Sequence, residues 1–220
     1  MIRLVLCNPN TNAATTEIMR AIAQEHAPDG VEIAGMTAAY GAPLIVHPAA
    51  LAEAANAVTD LADSIAAQTP DGVIVSAFGD PGLAALRSRL SCPVTGIAEA
   101  AMAEAAVDGR PFAVVTTTPD LVEAITSLAT DYGHADRFRG VALTPGDVHH
   151  VMANRHRLTQ ALGEACRDAI DRLGAAALVI GGGPLAQAAE SLANRFAVPV
   201  IAPIPAAVGL ALRRHHLGSR

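Results

Sequence analysis

Short uninterrupted apolar runs alternate along this chain with longer Ala-rich stretches in which apolar positions recur at helical spacing. The runs at 2–7 (IRLVLC), 31–36, 71–77, 93–97, 111–116, 138–143, 175–181 and 198–203 predict eight β-strands. They lack apolar/polar alternation, which predicts burial on both faces. Helices are predicted over 13–26, 49–68, 81–90, 98–107, 119–132, 150–173, 184–196 and 205–214. Repeated strand–helix alternation of this kind predicts an α/β protein with parallel sheets.

The pattern also repeats by halves. LVLCNPNT, VEIAGMTAAYGAPLIVHP and GVIVSAFGDPGL in the first half correspond to FAVVTTTPD, FRGVALTPGDVHH and ALVIGGGPLA in the second. Residue identity between the halves is slight, so the repeat is architectural. It predicts two pseudo-symmetric lobes, 1–97 with 204–220 and 98–203, each a parallel sheet flanked by helices. An active site is then expected between the lobes, at the carboxyl ends of the strands.

Composition narrows the function. Half of the residues are hydrophobic but aromatics are scarce and tryptophan is absent, so the core must be built from Ala, Val, Leu and Ile. A net charge of −6 without a basic run argues against a nucleic-acid partner. No apolar stretch approaches the roughly 20 residues that span a bilayer, so no membrane partner is expected. The opening MIRLVLCNPN reads as a first strand rather than a signal peptide. Cys7, Cys92 and Cys166 are odd in number and widely spaced, which fits a reducing, cytoplasmic compartment and no disulfide framework.

The candidate chemistry lies in the loops after the strands. Asn8, Asn10 and Thr11 could cap a helix or bind a small-molecule substrate. Asp80, before Pro81, reads as the N-cap of the helix that follows, ahead of acid–base work. The backbone N–H groups of Phe78 and Gly79 could hold an anionic or carbonyl oxygen. Thr116, Thr117 and Thr118 alternate in direction, which predicts at least one hydroxyl toward a ligand. Gly182 and Gly183, in GGGP, allow close approach of a ligand to the main chain. The segment matches neither a Walker loop nor a dinucleotide fingerprint.

Taken together, NPNT (8–11), FGDPGL (78–83), PVTGIAEAA (93–101), VVTT (114–117) and VPVIAP (198–203) resemble the aspartate/glutamate/hydantoin racemase superfamily, most closely its hydantoin racemase branch. The resemblance spans nearly the whole chain. It implies a two-lobed α/β fold, no organic cofactor, a small carboxylate or cyclic ureide as substrate, and a homo-oligomer. Members of the family use two cysteines, one per lobe, as acid and base on opposite faces of a carbon. The positions that match them here are Ala77 and Gly182, and Ala202 stands where relatives often carry Asp.

With both thiols replaced, other groups must do any chemistry. His47, in APLIVHP, and His149 and His150, in TPGDVHH, occupy equivalent loops of the two halves. Imidazole suits proton transfer near neutral pH and is a common zinc ligand, so these three could act as acid and base or hold a divalent metal such as zinc. The competing reading is that they only open helices. The leading expectation is hydrolysis or elimination on a hydantoin-like or thiohydantoin-like ring or a small carboxylate, metal-assisted or not. The alternatives are a hydantoin or amino-acid racemase with non-cysteine bases, and an inactive small-ligand-binding protein.

Overall fold

A computed structural model describes residues 1–218 and divides the chain into two compact units. The first holds Met1–Ala100 and the stretch from Ile204 onward, and the second holds Ala101–Pro203. Residues 219 and 220, which the sequence reading assigned to the first lobe, lie outside the described residues.

In the first unit, β1 (Ile2–Asn8), β2 (Val31–Thr37), β3 (Gly72–Val75) and β4 (Val94–Gly96) form a parallel sheet in the order β2-β1-β3-β4. The helices α1 (Ala13–Glu25), α2 (Pro48–Asp60), α3 (Ala62–Ala66) and α4 (Leu83–Arg89) connect them, and the unit boundary falls inside α5 (Ile97–Ala105). The second unit repeats this topology. Its strands are β5 (Phe112–Thr116), β6 (Phe138–Leu143), β7 (Ala177–Ile180) and β8 (Val200–Ile201), all parallel, in the order β6-β5-β7-β8. Its helices are α6 (Val122–Asp131), α7 (Val148–Met152), α8 (Arg155–Asp171) and α9 (Ala186–Leu192). The long α10 (Pro203–Gly218) follows and belongs with the first unit.

The central strands explain the apolar runs. Leu4, Val5 and Leu6 of β1, Val73–Val75 of β3, Phe112–Val115 of β5 and Leu178–Ile180 of β7 have no solvent exposure. At about 1.5–3 kcal/mol for each fully buried aliphatic side chain, these strands are a main source of stability. Burial on both faces does not extend to β2 and β6, whose residues alternate or stay partly exposed. Each is the edge strand of its sheet, so one flank meets no neighbour.

Two predicted helices are each divided in two. The 49–68 stretch breaks at Leu61 into α2 and α3. The 150–173 stretch becomes α7 and α8, because the Asn154 side chain accepts from Arg157 N at 3.0 Å and starts a new helix. At the other end, α10 runs past residue 214, where the predicted helix stopped, and takes in His215 and His216. Among the described residues no helix is long and apolar enough to cross a membrane.

Arg214 of α10 fastens this helix to the first unit. Its Nη1 and Nη2 donate to Glu99 Oε2 and Oε1 at 2.8 and 2.7 Å, and Nη1 also reaches Val94 O and Thr95 Oγ1 at 3.1 Å. Arg87 Nη2 donates to the same carboxylate at 2.7 and 2.9 Å. Burial pushes the Glu99 carboxyl up, but the Arg214 and Arg87 hydrogen bonds outweigh it and hold the group below its ordinary value of 4.5. Because the folded value is the lower one, the stabilisation is complete above the ordinary carboxylate range and is lost as pH falls through it. Glu99→Gln is therefore expected to flatten the acid side of a stability–pH curve, measured as urea midpoints from neutral pH to about pH 3. A curve of unchanged steepness would show that this cluster does not couple folding to protons.

Candidate active site

In the first unit the candidate residues gather where β1 and β3 end. The Asn8 side chain is fully buried. Its Nδ2 lies 2.9 Å from Asn10 Oδ1 and from Thr16 Oγ1, and its Oδ1 accepts from Asn10 N at 3.1 Å. Asn10 Oδ1 in turn accepts from Asn12 N at 2.9 Å, and Asn12 Oδ1 caps α1 by accepting from Thr15 N at 3.2 Å. The density of amides in NPNTN thus builds a nested turn, and the capping residue is Asn12. Asn8 spends its carboxamide on holding that turn. Thr11 is half-buried, and its hydroxyl has no partner among the described residues, which leaves it available to a ligand.

The segment after β3 winds back sharply. Ser76 donates to Cys7 O from both its N–H and its Oγ at 2.9 Å. Asp80 N then closes a turn on Ala77 O at 3.0 Å. Gly79, Asp80 and Gly82 all have positive φ, at 132°, 45° and 75°. A side chain on Gly82 would bring its Cβ to 2.9 Å from Ala55 O, so glycine is required there on both conformational and steric grounds.

Asp80 is not the N-cap of the helix that follows it. That helix starts at Leu83, its N-cap is Gly82, and no side chain caps it. The Asp80 carboxylate instead reaches Ala98 N at 2.9 Å and Glu99 N at 2.8 Å, capping α5. Negative charge at a helix N-terminus is favourable, and here it pins the loop to the next element. The loop presents the Ala77 methyl group, 8% exposed, and the N–H groups of Phe78 and Gly79, which have no acceptor among the described residues.

The second unit carries the equivalent loops at the ends of β5, β6 and β7. Thr116 Oγ1 donates to Gly181 O at 2.8 Å and lies 3.1 Å from Thr118 Oγ1. Thr117 Oγ1 points to Met152 Sδ at 3.8 Å, and Thr118 is the half-exposed member of the three. Gly182 is extended, with φ 169°, and a Cβ there would sit 2.9 Å from Leu185 Cγ. Gly183 is buried and opens the short 3-10 turn Gly183–Leu185. Thr144 was missed in the sequence. It ends β6 beside Thr116, donating its N–H to Thr116 O at 3.0 Å, and its buried Oγ1 has no partner. The signal was a polar residue directly after an apolar strand, the same one that marked Thr116.

The histidines occupy helix starts. His47 is exposed and extended, and its Nδ1 accepts from Ala50 N at 3.1 Å, so it is the N-cap of α2. His149 and His150 are exposed in the first turn of α7, where Asp147 accepts from His150 N at 3.0 Å. The zinc expectation finds no ligand cluster: among the described residues no three His, Cys, Asp or Glu side chains are grouped to hold a metal ion.

The cysteines offer no ready thiolate. Burial pushes the Cys7 thiol up to about 12. It does the same to Cys166, also to about 12, against a small opposing effect of Arg167. Cys92 is partly exposed rather than buried, and desolvation raises it as well.

The comparisons with known proteins agree with one another. The Asp/Glu/Hydantoin racemase family model matches residues 4–211. A hydantoin racemase of Paenarthrobacter aurescens is 27% identical over 213 residues, covering 96% of this chain and 89% of that protein. An allantoin racemase from Klebsiella pneumoniae superposes with a TM-score of 0.93 at 32% identity, covering 99% of this chain and 89% of the other. The allantoin racemase from Pseudomonas fluorescens gives 0.91 at 30%, covering 99% and 92%.

These findings overturn the expectation of hydrolysis or elimination. That expectation rested on matching Ala77 and Gly182 to thiol positions, whereas the similarity to racemases extends over almost every residue and points to an isomerase. The chain belongs to the Asp/Glu/hydantoin racemase family, a family of enzymes.

Proposed function

We propose that this protein is a racemase or epimerase of cyclic ureides, acting at the ring carbon of a hydantoin or allantoin without a cysteine base. The similarity to two allantoin racemases, at 30% and 32% identity across 99% of the chain, carries the reading. In such a ring the reacting C–H lies beside a carbonyl, so its proton is removed most easily when the oxygen is held by hydrogen-bond donors as charge develops. The N–H groups of Phe78 and Gly79 supply such donors. Thr11, in the same unit, supplies a hydroxyl that can accept from a ring N–H group or donate to a ring oxygen.

On the reading that Ala77 and Gly182 match the family's two thiol positions, another group must carry the proton. We assign that task to imidazole, with His47, His149 and His150 as the candidates. The test is loss of the C5–H signal of L- and D-hydantoins and of allantoin in D2O, followed by NMR. His47→Asn keeps an N-cap acceptor for α2, so a loss of exchange in that variant reports on chemistry rather than on folding. A catalytic imidazole is expected to cost about 10²-fold or more in exchange rate when replaced. If His47→Asn, His149→Gln and His150→Gln all exchange at the wild-type rate, the imidazole assignment is wrong.

A second reading is favoured by one observation: neither a methyl group nor a hydrogen can carry a proton at residues 77 and 182. Under it the protein binds a ureide and does not turn it over. Ligand-dependent thermal stabilisation without any exchange would select this reading over the racemase.

A further inference from the structure

In the second unit, α8, the end of α9 and the segment after it line a groove of about 540 Å³. His156, Gly163 and Arg167 line it from one face of α8, at positions 0, 7 and 11 along that helix. Leu192, Arg195 and Phe196 form the opposite wall. No Asp or Glu lines the groove, although the chain as a whole carries a net charge of −6. Arg167 and Arg195 are exposed, and neither is paired with a carboxylate among the described residues.

Gly163 is the informative member. It lies inside a 17-residue helix, where glycine is the poorest residue after proline. Packing does not demand it: a Cβ at this position would meet only Leu192 Cδ2, at 3.7 Å, an ordinary contact. Alanine would fit and would favour the helix. What the missing methyl provides is room in a groove that Arg167, Arg195 and Phe196 also line.

We propose that this groove is a binding site for a phosphate monoester carried on a planar ring. The fork of a guanidinium matches phosphate oxygens, and two unpaired arginines suit a dianion. Phe196 and Leu192 suit the flat apolar body. The site is separate from the racemase chemistry and does not depend on it.

The experiment is titration of the full chain with phenyl phosphate, with inorganic phosphate and phenol as the separate halves, followed by calorimetry or NMR shifts. Phenyl phosphate is expected to bind saturably with Kd below about 1 mM, at least fivefold tighter than inorganic phosphate. Arg167→Ala and Arg195→Ala are each expected to weaken it about tenfold. Gly163→Ala is expected to raise the Tm by a few degrees while weakening binding about fivefold, so the loss cannot be ascribed to misfolding. No saturable binding overturns the proposal, as does binding that both arginine variants retain. Equal affinity for inorganic and phenyl phosphate also overturns it, because the apolar wall would then play no part.

Discussion

The double variant Ala77→Cys, Gly182→Cys is expected to exchange the C5 proton of a hydantoin about 10²-fold faster than the wild type, the usual scale of a positioned acid–base group. The backbone for it is already in place. Ala77 sits at the start of the tight turn closed by Asp80 N, and the adjacent N–H groups of Phe78 and Gly79 favour a thiolate over a thiol. Gly182 has extended φ, which any residue adopts, but its new Cβ would crowd Leu185 Cγ at 2.9 Å, so Leu185 must rotate. Gly182→Ala measures that crowding alone. Each single cysteine is expected to speed exchange of one enantiomer only, because a single base can remove and return a proton on one face of the ring. Exchange in the double variant no faster than in the wild type, with the protein folded, would sink the reading that residues 77 and 182 match the family's thiol positions.

Asp80→Ala is expected to destabilise the protein by about 2–4 kcal/mol, the scale for losing charge-assisted bonds and leaving buried donors unmet. The carboxylate is 5% exposed and serves Ala98 N and Glu99 N together. A methyl group on Gly96 would run into that same carboxylate, so Gly96→Ala is expected to cost about 1–3 kcal/mol by overpacking. The two changes should not add. With Asp80 already removed, Gly96→Ala no longer meets that carboxylate and should cost less than about 1 kcal/mol. Urea midpoints of the four proteins in this cycle decide the matter, and simple additivity would mean that the two sites do not share this contact.

The eight strands and the parallel α/β class were legible because the central strands are buried on both faces and leave continuous apolar runs. The extent of the helices was less so. Asn154 reads in sequence as one polar residue in a helical stretch, and only its bond to Arg157 N shows it to be a cap. Asp80 was misassigned for a deeper reason. Local rules tie a capping residue to its own helix, whereas its partners lie 18 and 19 residues downstream, a contact that only the folded loop creates. Asn8 was marked as polar at the right place, yet its bonds turn inward, and sequence carries no sign of that direction. For function, a resemblance that runs through the whole chain carries more weight than the identity of residues 77 and 182.

The placement of α10 has a consequence for biosynthesis. The chain leaves the first unit near residue 100 and returns to it at Ile204. At about 5–20 residues per second, the intervening segment takes the ribosome roughly 5–20 s to make. During that interval the N-terminal sheet lacks the helix that brings Arg214 to Glu99, while the second unit, contiguous in sequence, can already close. The first unit thus cannot be completed until the whole of the second unit has been made.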